Sequence, residues 1–347
     1  MTIDIDLDQN TYPIHINALE QLHYDKKVAI VTNPTVSGLW LKKLLTNLDA
    51  KACSIITVQD GEKYKNMQSI EYILEGMFNA NMDRDSLLIA FGGGVIGDMT
   101  GFCASIFQRG IDFVQIPTTL LSQVDASVGG KTGINNAHGK NLVGSFHQPK
   151  AVHIDTQFLT TLPQREFGAG VAEVIKMAVM FDAAFFTWLQ KADLTKEADL
   201  QHAIKRAVEL KARVVAQDEK EKGLRAVLNY GHTFGHVIEN ETNYSTYLHG
   251  EAVGMGMVIA NTLAIALGIF TQKEADEVTQ LLQKYDIPTH YTINDAQKFY
   301  ERFFYDKKSQ NSSLKFILPQ KIGSHRIIQD PNRKRVLDVL EQFGKES

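Results

Sequence analysis

The sequence predicts an α/β nucleotide-binding domain with a Rossmann-like parallel sheet, followed by a mainly α-helical metal-binding domain. In the first half, short apolar runs alternate with amphipathic stretches, which is the pattern of βα units feeding a parallel sheet. In the second half, apolar residues recur at spacings of three and four, as in amphipathic helices. The 347 residues, 44% of them apolar, can fill two cores. We therefore expect domains at 1–155 and 156–347.

The first half contains the predicted strands. They cover residues 27–32, 52–58, 86–91, 112–116 and 151–154. Helices are predicted over 67–80 and 99–106, and the glycine-rich and serine-rich stretch 127–145 is predicted to be a loop.

The second half contains the predicted long helices. They cover residues 171–189, 199–217, 232–239 and 250–268. Pro163 fits the turn before the first of them.

Composition excludes several classes of protein. A net charge of -4 gives no basic footprint for nucleic acid. With only Cys53 and Cys103, the chain has neither a disulfide framework nor a thiolate-rich zinc site, which predicts a reducing cytoplasm. No apolar run reaches the roughly 20 residues that span a bilayer, and the acidic N-terminus is unlike a signal peptide.

A glycine cluster, Gly92-Gly93-Gly94-Val95-Ile96-Gly97-Asp98, follows the predicted strand 86–91 and precedes a predicted helix. In that context backbone amides and the helix dipole favour a phosphate group. The alternative is that the glycines serve only a tight turn and close helix packing. The cluster also lies beyond the first βα turn, where the dinucleotide fingerprint usually sits.

Acidic and histidine side chains in the second half are candidate metal ligands. Glu173, His232 and His249 make a set of three oxygen and nitrogen donors, as in catalytic zinc sites that keep one position open. His236, four residues after His232, lies on the same helical face. Paired helical histidines are also found merely packed or facing solvent.

Basic residues within glycine-rich sequence are candidate anion ligands. Lys131 follows Gly129-Gly130, and Lys140-Asn141 follow in the same stretch, where amides and ammonium groups suit a phosphate.

Six motifs together resemble the 3-dehydroquinate synthase family of sugar-phosphate cyclases, over about residues 27–323. They are the cluster at 92–98, Ile116-Pro117-Thr118-Thr119-Leu120-Leu121, the segment 124–131, Lys140-Asn141-Leu142-Val143-Gly144, Ala172-Glu173-Val174-Ile175-Lys176 and Asn229-Tyr230-Gly231-His232. The resemblance implies a dehydroquinate synthase-like fold, a homodimer, NAD and a divalent metal, zinc or cobalt. It also implies a sugar-phosphate substrate, 3-deoxy-D-arabino-heptulosonate 7-phosphate, which becomes 3-dehydroquinate in the shikimate pathway of aromatic amino-acid synthesis.

The resemblance also implies residue roles. The metal ligands are Glu173, His232 and His249. The NAD site takes Glu62, Lys65, Gly93, Gly94, Asp98, Thr118, Thr119, Lys131, Lys140, Phe158, Thr161 and Leu162. The catalytic and substrate-binding residues are Asp125, Lys131, Asn141, Lys176, Lys211, Glu221, Arg225, Asn229, His236 and Lys307, with Arg109 reaching the neighbouring subunit's site.

The implied reaction removes a hydride at C5 of the sugar, eliminates phosphate, returns the hydride and closes the ring, so NAD is recycled. Asn33 departs from the family's usual acidic residue for the ribose, and Lys222 interrupts a usual Gly-Gly before Leu224-Arg225. Whether Lys307 or Lys308 faces the substrate stays open.

Two other enzyme classes fit parts of the pattern. One is an NAD- and metal-dependent cyclase whose substrate lacks the carboxylate, which the cationic Lys211, Arg225 and Lys307 disfavour. The other is a polyol dehydrogenase of the glycerol dehydrogenase type, which Lys131 and Asn141 disfavour. A non-enzymatic nucleotide-binding regulator is disfavoured by the complete set of metal ligands.

Overall fold

The structure, a computed structural model, describes residues 1–7, 10–304 and 314–344. It divides into two compact units. The first unit comprises Met1–Pro163 and Leu200–Lys220, and the second comprises Gln164–Asp199 and Glu221–Ser347. This division differs from a single boundary at residue 155, because residues 200–220 pack with the first unit. Lys211 pairs there with Asp125, and Glu219 accepts a hydrogen bond from Gln148.

The first unit is built on a largely parallel sheet. Its strands are β1 (Thr2–Ile5), β2 (Tyr12–Ile16), β3 (Leu22–Thr32), β4 (Leu48–Thr57), β5 (Leu87–Gly92), β6 (Asp112–Pro117), β7 (Lys131–Asn136), β8 (Gly139–Phe146) and β9 (Val152–Ile154). Seven of these form one sheet in the order β1-β2-β9-β6-β5-β3-β4. In the described part of this sheet, β1 and β2 pair antiparallel and every other pairing is parallel. The predicted α/β class is confirmed.

Helices cover both faces of this sheet. They are α1 (Pro34–Thr46), α2 (Met67–Asn79) and α3 (Gly94–Ile106). Alternate residues of β3 and β5 enter two different cores, since successive strand side chains point to opposite faces. One core packs against α2 and α3, and the other against α1 and the 3-10 helix Thr156–Thr161.

The predicted loop over 127–145 is wrong for most of its length. Residues Lys131–Asn136 and Gly139–Phe146 form the antiparallel hairpin β7–β8. Glycine depresses the strand propensity of this segment, but the hairpin needs two of its glycines for packing. A Cβ on Gly144 would stand 2.0 Å from the Thr132 carbonyl oxygen of the opposite strand.

The second unit is mainly helical, as predicted. Its helices are α4 (Gln164–Phe181), α5 (Ala183–Lys191), the start of α6 (Glu197–Gln217), α7 (His232–Glu241), α8 (His249–Ala266), α9 (Gln272–Lys284), α10 (Ala296–Arg302) and α11 (Arg333–Gln342). A hairpin, β10 (Lys315–Lys321) with β11 (Ser324–Gln329), completes it. The single predicted helix over 171–189 is wrong, because Asp182 leaves the helical conformation and caps α5 through the Phe185 amide.

Among the described residues, no helix combines the length and apolarity that crossing a membrane requires.

Candidate active site

Three predicted metal ligands of the second unit converge on one point. Glu173 lies on α4, His232 begins α7 and His249 begins α8. The Nε2 atoms of both histidines lie 3.7 Å from Oε1 of Glu173. Donor atoms about 2 Å from a tetrahedral zinc lie about 3.4 Å apart, so the observed spacing is close to that of a metal-bound set.

Each histidine is oriented by a second oxygen. Nδ1 of His232 lies 3.1 Å from the Tyr230 carbonyl oxygen, which only accepts hydrogen bonds, so Nδ1 carries the proton and Nε2 keeps its lone pair. Nδ1 of His249 lies 3.5 Å from Oε1 of Glu239. Burial and the nearby Lys176 hold the pKa of His232 well below its usual range, which keeps the ring neutral. A neutral imidazole is the form that binds metals.

The carboxylate of Glu173 is buried in a way that fits a cation. Glu173 is 1% exposed, and neither of its oxygens accepts a hydrogen bond of good geometry from a described group. The ammonium group of Lys176, one turn along α4, contacts Oε2. A buried carboxylate needs a positive partner, so one carboxylate and two neutral imidazoles beside it suit a divalent ion.

Four other predicted residues of the second unit lie within the described part of the chain. His236 is exposed and forms a second potential cluster with Glu239 and His249, rather than with Glu173. Arg225, 2% exposed, lies in a 3-10 helix that packs against α4. Asn229 ends that helix and donates to Glu221, 3.2 Å away. Lys307 and Lys308 lie outside the described residues.

The glycine cluster of the first unit lies at the switch point of the sheet. Strand β3 has β4 on one side and β5 on the other, so the connections diverge at the carboxyl ends of β3 and β5. Nucleotides bind at such points in open α/β sheets. Asn33 follows β3 and caps α1 with its own side chain, whereas α3 begins at Gly93 and Gly94 with no side-chain cap. The helix N-terminus with uncapped amides is therefore that of α3, which explains why the glycine cluster follows β5 rather than the first strand of the parallel sheet.

Neighbouring groups fit a nucleotide at the start of α3. The Thr118 hydroxyl oxygen is buried without a hydrogen-bond partner in the described structure. A Cβ on Gly93 would come within 3.1 Å of the Thr119 side chain, and one on Gly94 within 3.2 Å of Ala126. A side chain at either position would therefore occupy space at the start of α3 that the glycines leave open. The first unit therefore offers uncapped amides and an unpaired hydroxyl at one edge, as a pyrophosphate requires.

A buried charged network joins several predicted residues of the first unit. Lys65 donates to Oδ2 of Asp98 and to Oδ1 of Asn141, both at 2.5 Å. Lysine only donates, so Oδ1 of Asn141 faces Lys65 and its amide nitrogen stays available as a donor. Lys211 pairs with Asp125 at 2.9 Å. These contacts hold in place side chains that the sequence identified only as candidates.

The remaining predicted residues of the first unit are more dispersed. Glu62 accepts from Asn135 at 2.8 Å. Phe158 is buried against Phe91 and Trp40, which leaves its backbone, not its ring, to face a ligand. Thr161 accepts from Trp40, and Leu162 ends the same 3-10 helix. Lys131 and Lys140 lie on β7 and β8, and the exposed Arg109 has a left-handed backbone with φ of 72°.

Three supporting residues had no assigned role in the sequence prediction. Glu239 orients His249, and Arg165 pairs with Glu251 beside it. Their spacing in the sequence gave no signal. Glu251 follows His249 by two residues and Arg165 precedes Glu173 by eight, and neither is the three- or four-residue spacing that makes helical residues neighbours.

Two descriptions of known protein families match adjoining parts of the chain. Residues 55–169 match the family 3-dehydroquinate synthase N-terminal, and residues 170–309 match 3-dehydroquinate synthase C-terminal. A 3-dehydroquinate synthase of a Sulfurovum species is 63% identical over 336 residues, which cover 97% of this chain and 96% of that protein.

Solved structures with the same fold include two other cyclases. The 2-epi-5-epi-valiolone synthase of Streptomyces hygroscopicus, solved with NAD+ and Zn2+, is 26% identical with a TM-score of 0.85, covering 92% of this chain and 91% of that one. A 2-deoxy-scyllo-inosose synthase, solved with carbaglucose-6-phosphate, NAD+ and Co2+, is 21% identical with a TM-score of 0.86, covering 99% and 100%.

Proposed function

The chain belongs to the 3-dehydroquinate synthase family, and we propose that Glu173, His232 and His249 hold the divalent metal with which it carries out that family's reaction. The reaction converts 3-deoxy-D-arabino-heptulosonate 7-phosphate into 3-dehydroquinate and phosphate. The observation that carries the metal site is the convergence of one carboxylate and two imidazole donors within 4.8 Å of one another. The two solved cyclases contain zinc or cobalt, and either ion suits this donor set.

The proposed NAD site is the amino end of α3 in the first unit. Gly93 and Gly94 leave its amides open to the pyrophosphate, and Thr118 and Thr119 add hydroxyl groups. The further contacts proposed from the family are Glu62, Lys65, Asp98, Lys131, Lys140, Phe158, Thr161 and Leu162. When bound, NAD accepts and returns a hydride, and the metal polarises the hydroxyl group that is oxidised.

The remaining residues bind and orient the substrate's anionic groups. Lys131, Asn141 and His236 are assigned to the phosphate, because they supply an ammonium, an amide and an imidazole as donors. Lys211 and Arg225 are assigned to the carboxylate, for which guanidinium offers a planar two-pronged donor. Both are buried, so each charge acts in a medium that screens it weakly.

Five further residues complete the proposed substrate site. Lys176 sets the charge beside Glu173, Asp125 holds Lys211, and Glu221 with Asn229 forms a hydrogen-bonded pair. Lys307, outside the described residues, is proposed as another cation for the substrate. The domain roles proposed for 1–155 and 156–347 are nucleotide binding and metal binding.

We propose a homodimer in which Arg109 reaches the partner's substrate. Arg109 is exposed three residues beyond the end of α3, and Phe78, Ile106 and Phe146 are exposed large apolar residues of the same unit. Phe78 packs on Phe107, two residues before Arg109. A dimer would cover this apolar surface.

Mixing two inactive variants tests the shared site. Arg109→Ala and His249→Ala enzymes, each inactive alone, should regain activity when their subunits are exchanged, because one site of the mixed dimer is then intact. A monomeric wild-type protein, or no recovery after confirmed exchange, would contradict the proposal.

Two free cysteines support the cytoplasm as the proposed location. Cys103 is buried and Cys53 is exposed, and neither is paired. An exposed thiol persists most readily in a reducing compartment. Fractionation of cells that express the tagged protein tests the proposal, and recovery from an oxidising compartment would contradict it.

Metal stoichiometry tests the ligand assignment. Wild-type protein dialysed against zinc should hold one tight ion per chain, and His249→Ala should lose it while its thermal midpoint in chelator stays near that of the wild type. His290→Ala is the matched control, since His290 is an exposed histidine of the same unit. Full zinc occupancy in His249→Ala would contradict the assignment.

A further inference from the structure

An ion pair joins the two helices that carry Glu173 and His249. Arg165, in the first turn of α4, donates to Glu251, in the first turn of α8. Its Nε lies 2.5 Å from Oε1 and its Nη2 lies 2.6 Å from Oε2, so the contact is two-pronged. The Glu251 side chain is only 6% exposed. This geometry is the strong form of an arginine–carboxylate contact.

The same two residues fix the chain that leads to His249. Oε2 of Glu251 accepts the Leu248 amide at 2.8 Å, which caps α8 just before its first residue, His249. Arg165 donates to the Thr246 carbonyl oxygen at 2.6 Å. Helix ends fray unless they are tied down, and a metal ligand at the first helical position inherits any such motion.

A close helix contact sets the spacing beneath this pair. A Cβ on Gly250 would stand 2.0 Å from the Ala169 carbonyl oxygen, so α8 and α4 touch at this glycine. Ala169 precedes Glu173 by one helical turn, and Gly250 follows His249 directly. The contact thus fixes one side of the distance between Glu173 and His249, and the ion pair holds the helices together there.

We propose that Arg165 and Glu251 are positioning residues that hold His249 at metal-binding distance from Glu173. Neither residue belongs to the proposed ligand set of Glu173, His232 and His249. The pair instead restrains the first turn of α8, so that His249, whose side chain is 35% exposed, is presented in one orientation. Part of the conformational entropy of the His249 side chain is then lost when the protein folds rather than when the metal binds. The affinity for the metal is therefore higher. The proposal rests on the metal site proposed above, not on the identity of the substrate.

A second helix of the same unit provides a matched control. Glu274 occupies the same third position of α9, where it accepts from the Thr271 amide as Glu251 accepts from Leu248. Its helix carries no proposed ligand. Glu274→Gln should therefore weaken a helix cap without moving the metal site.

Zinc affinity, measured by competition with a chromophoric chelator, separates the roles. Arg165→Met and Glu251→Gln should each raise the zinc Kd about tenfold or more, as losses of ligand-supporting contacts do. The zinc Kd of the double variant should be close to the higher of the two single-variant values, because both substitutions remove the same contact. Arg165→Lys, which keeps the charge but not the fork, should fall between Arg165→Met and the wild type. Glu274→Gln should stay within about twofold of the wild type at a comparable loss of thermal stability.

The outcomes distinguish the possible failures. If the wild type binds zinc but Arg165→Met and Glu251→Gln match Glu274→Gln, the pair has only a structural role and the proposal is overturned. If the wild type binds no zinc, the metal site itself is wrong. Should Glu251→Gln fail to fold, Arg165→Met and Arg165→Lys still decide, because the Arg165 side chain is 56% exposed, its replacement leaves no buried cavity, and lysine keeps a cation beside the buried Glu251 carboxylate.

Discussion

Lys65→Met removes one ammonium group from the charged network of the first unit. The side chain of Lys65 is 5% exposed and that of its partner Asp98 is 21% exposed. Methionine keeps most of the apolar stem, so the change isolates the loss of the charge and of two hydrogen bonds. The carboxylate of Asp98 is left largely buried without its nearest cation.

The expected cost follows from this burial. Breaking a buried ion pair by removing one partner costs about 3–5 kcal/mol. Because Asp98 keeps some solvent contact and feels the charge of Lys211, we expect about 2–4 kcal/mol. In urea, this corresponds to a midpoint lower by about 1 M or more for a protein of ordinary denaturant dependence.

Equilibrium urea unfolding of four proteins measures the effect. The wild type, Lys65→Met, Asp98→Asn and the double variant form a cycle at pH 7. The double variant should be more stable than Lys65→Met, because replacing the stranded carboxylate removes its desolvation cost. If Lys65→Met costs less than about 1 kcal/mol, or the double variant is no more stable, the buried-pair reasoning is refuted.

The pH dependence of the deficit provides an independent check. Burial raises the pKa of Asp98, and Lys65 opposes that rise, so removing Lys65 raises it further. A group with a raised folded-state pKa stabilises the fold below its unfolded pKa and loses that contribution as pH rises through the folded value. The deficit of Lys65→Met should therefore be small at acid pH, where Asp98 is protonated in both proteins, and should grow as pH rises through the raised pKa that Asp98 has in the folded wild type. A deficit independent of pH would contradict this.

Three further changes test the second unit and the phosphate contact. Gly250→Ala must push α8 away from the Ala169 carbonyl and should cost about 1–3 kcal/mol in urea unfolding, so an unchanged midpoint would argue against the close packing. Glu239→Gln should raise the zinc Kd about 10–100-fold by loosening His249, and chelator competition measures it; an unchanged Kd would remove Glu239 from the site. Lys131→Ala should lower kcat/KM for the phosphorylated substrate by an amount equivalent to about 1.5–3 kcal/mol, and an unchanged value would place the phosphate elsewhere.

The sequence predicted the buried strands of the first unit well, because a short, continuous apolar run between turn residues is typical of a strand that is buried on both faces. The run 86–91 became Leu87–Gly92, and 112–116 became Asp112–Pro117. It did not predict the edge strand Thr2–Ile5 or its neighbour Tyr12–Ile16. Both are short, with four and five residues, so each contains too few residues for a clear alternating pattern. The hairpin at residues 131–146 was hidden by its glycines.

The candidate site likewise contains residues that the sequence predicted and residues that it did not. Residue type and motif nominated Glu173, His232 and His249, since few other side chains can bind a metal without thiolates. The support by Arg165 and Glu251 was not predicted, because it depends on how two helices pack. That information is tertiary: the structure shows it in the contact of Arg165 with Glu251 and in the close approach of the two helices at Gly250.

The most direct test of the proposed reaction follows phosphate, 3-dehydroquinate and NADH in one reaction mixture. Metal-loaded protein with catalytic NAD and 3-deoxy-D-arabino-heptulosonate 7-phosphate should release phosphate and 3-dehydroquinate in equal amounts, while absorbance of NADH shows no net rise. The two products match because each turnover eliminates one phosphate and closes one ring, and NADH does not accumulate because the hydride that NAD accepts is returned within each turnover. Steady accumulation of NADH, or phosphate release without 3-dehydroquinate, would contradict the account.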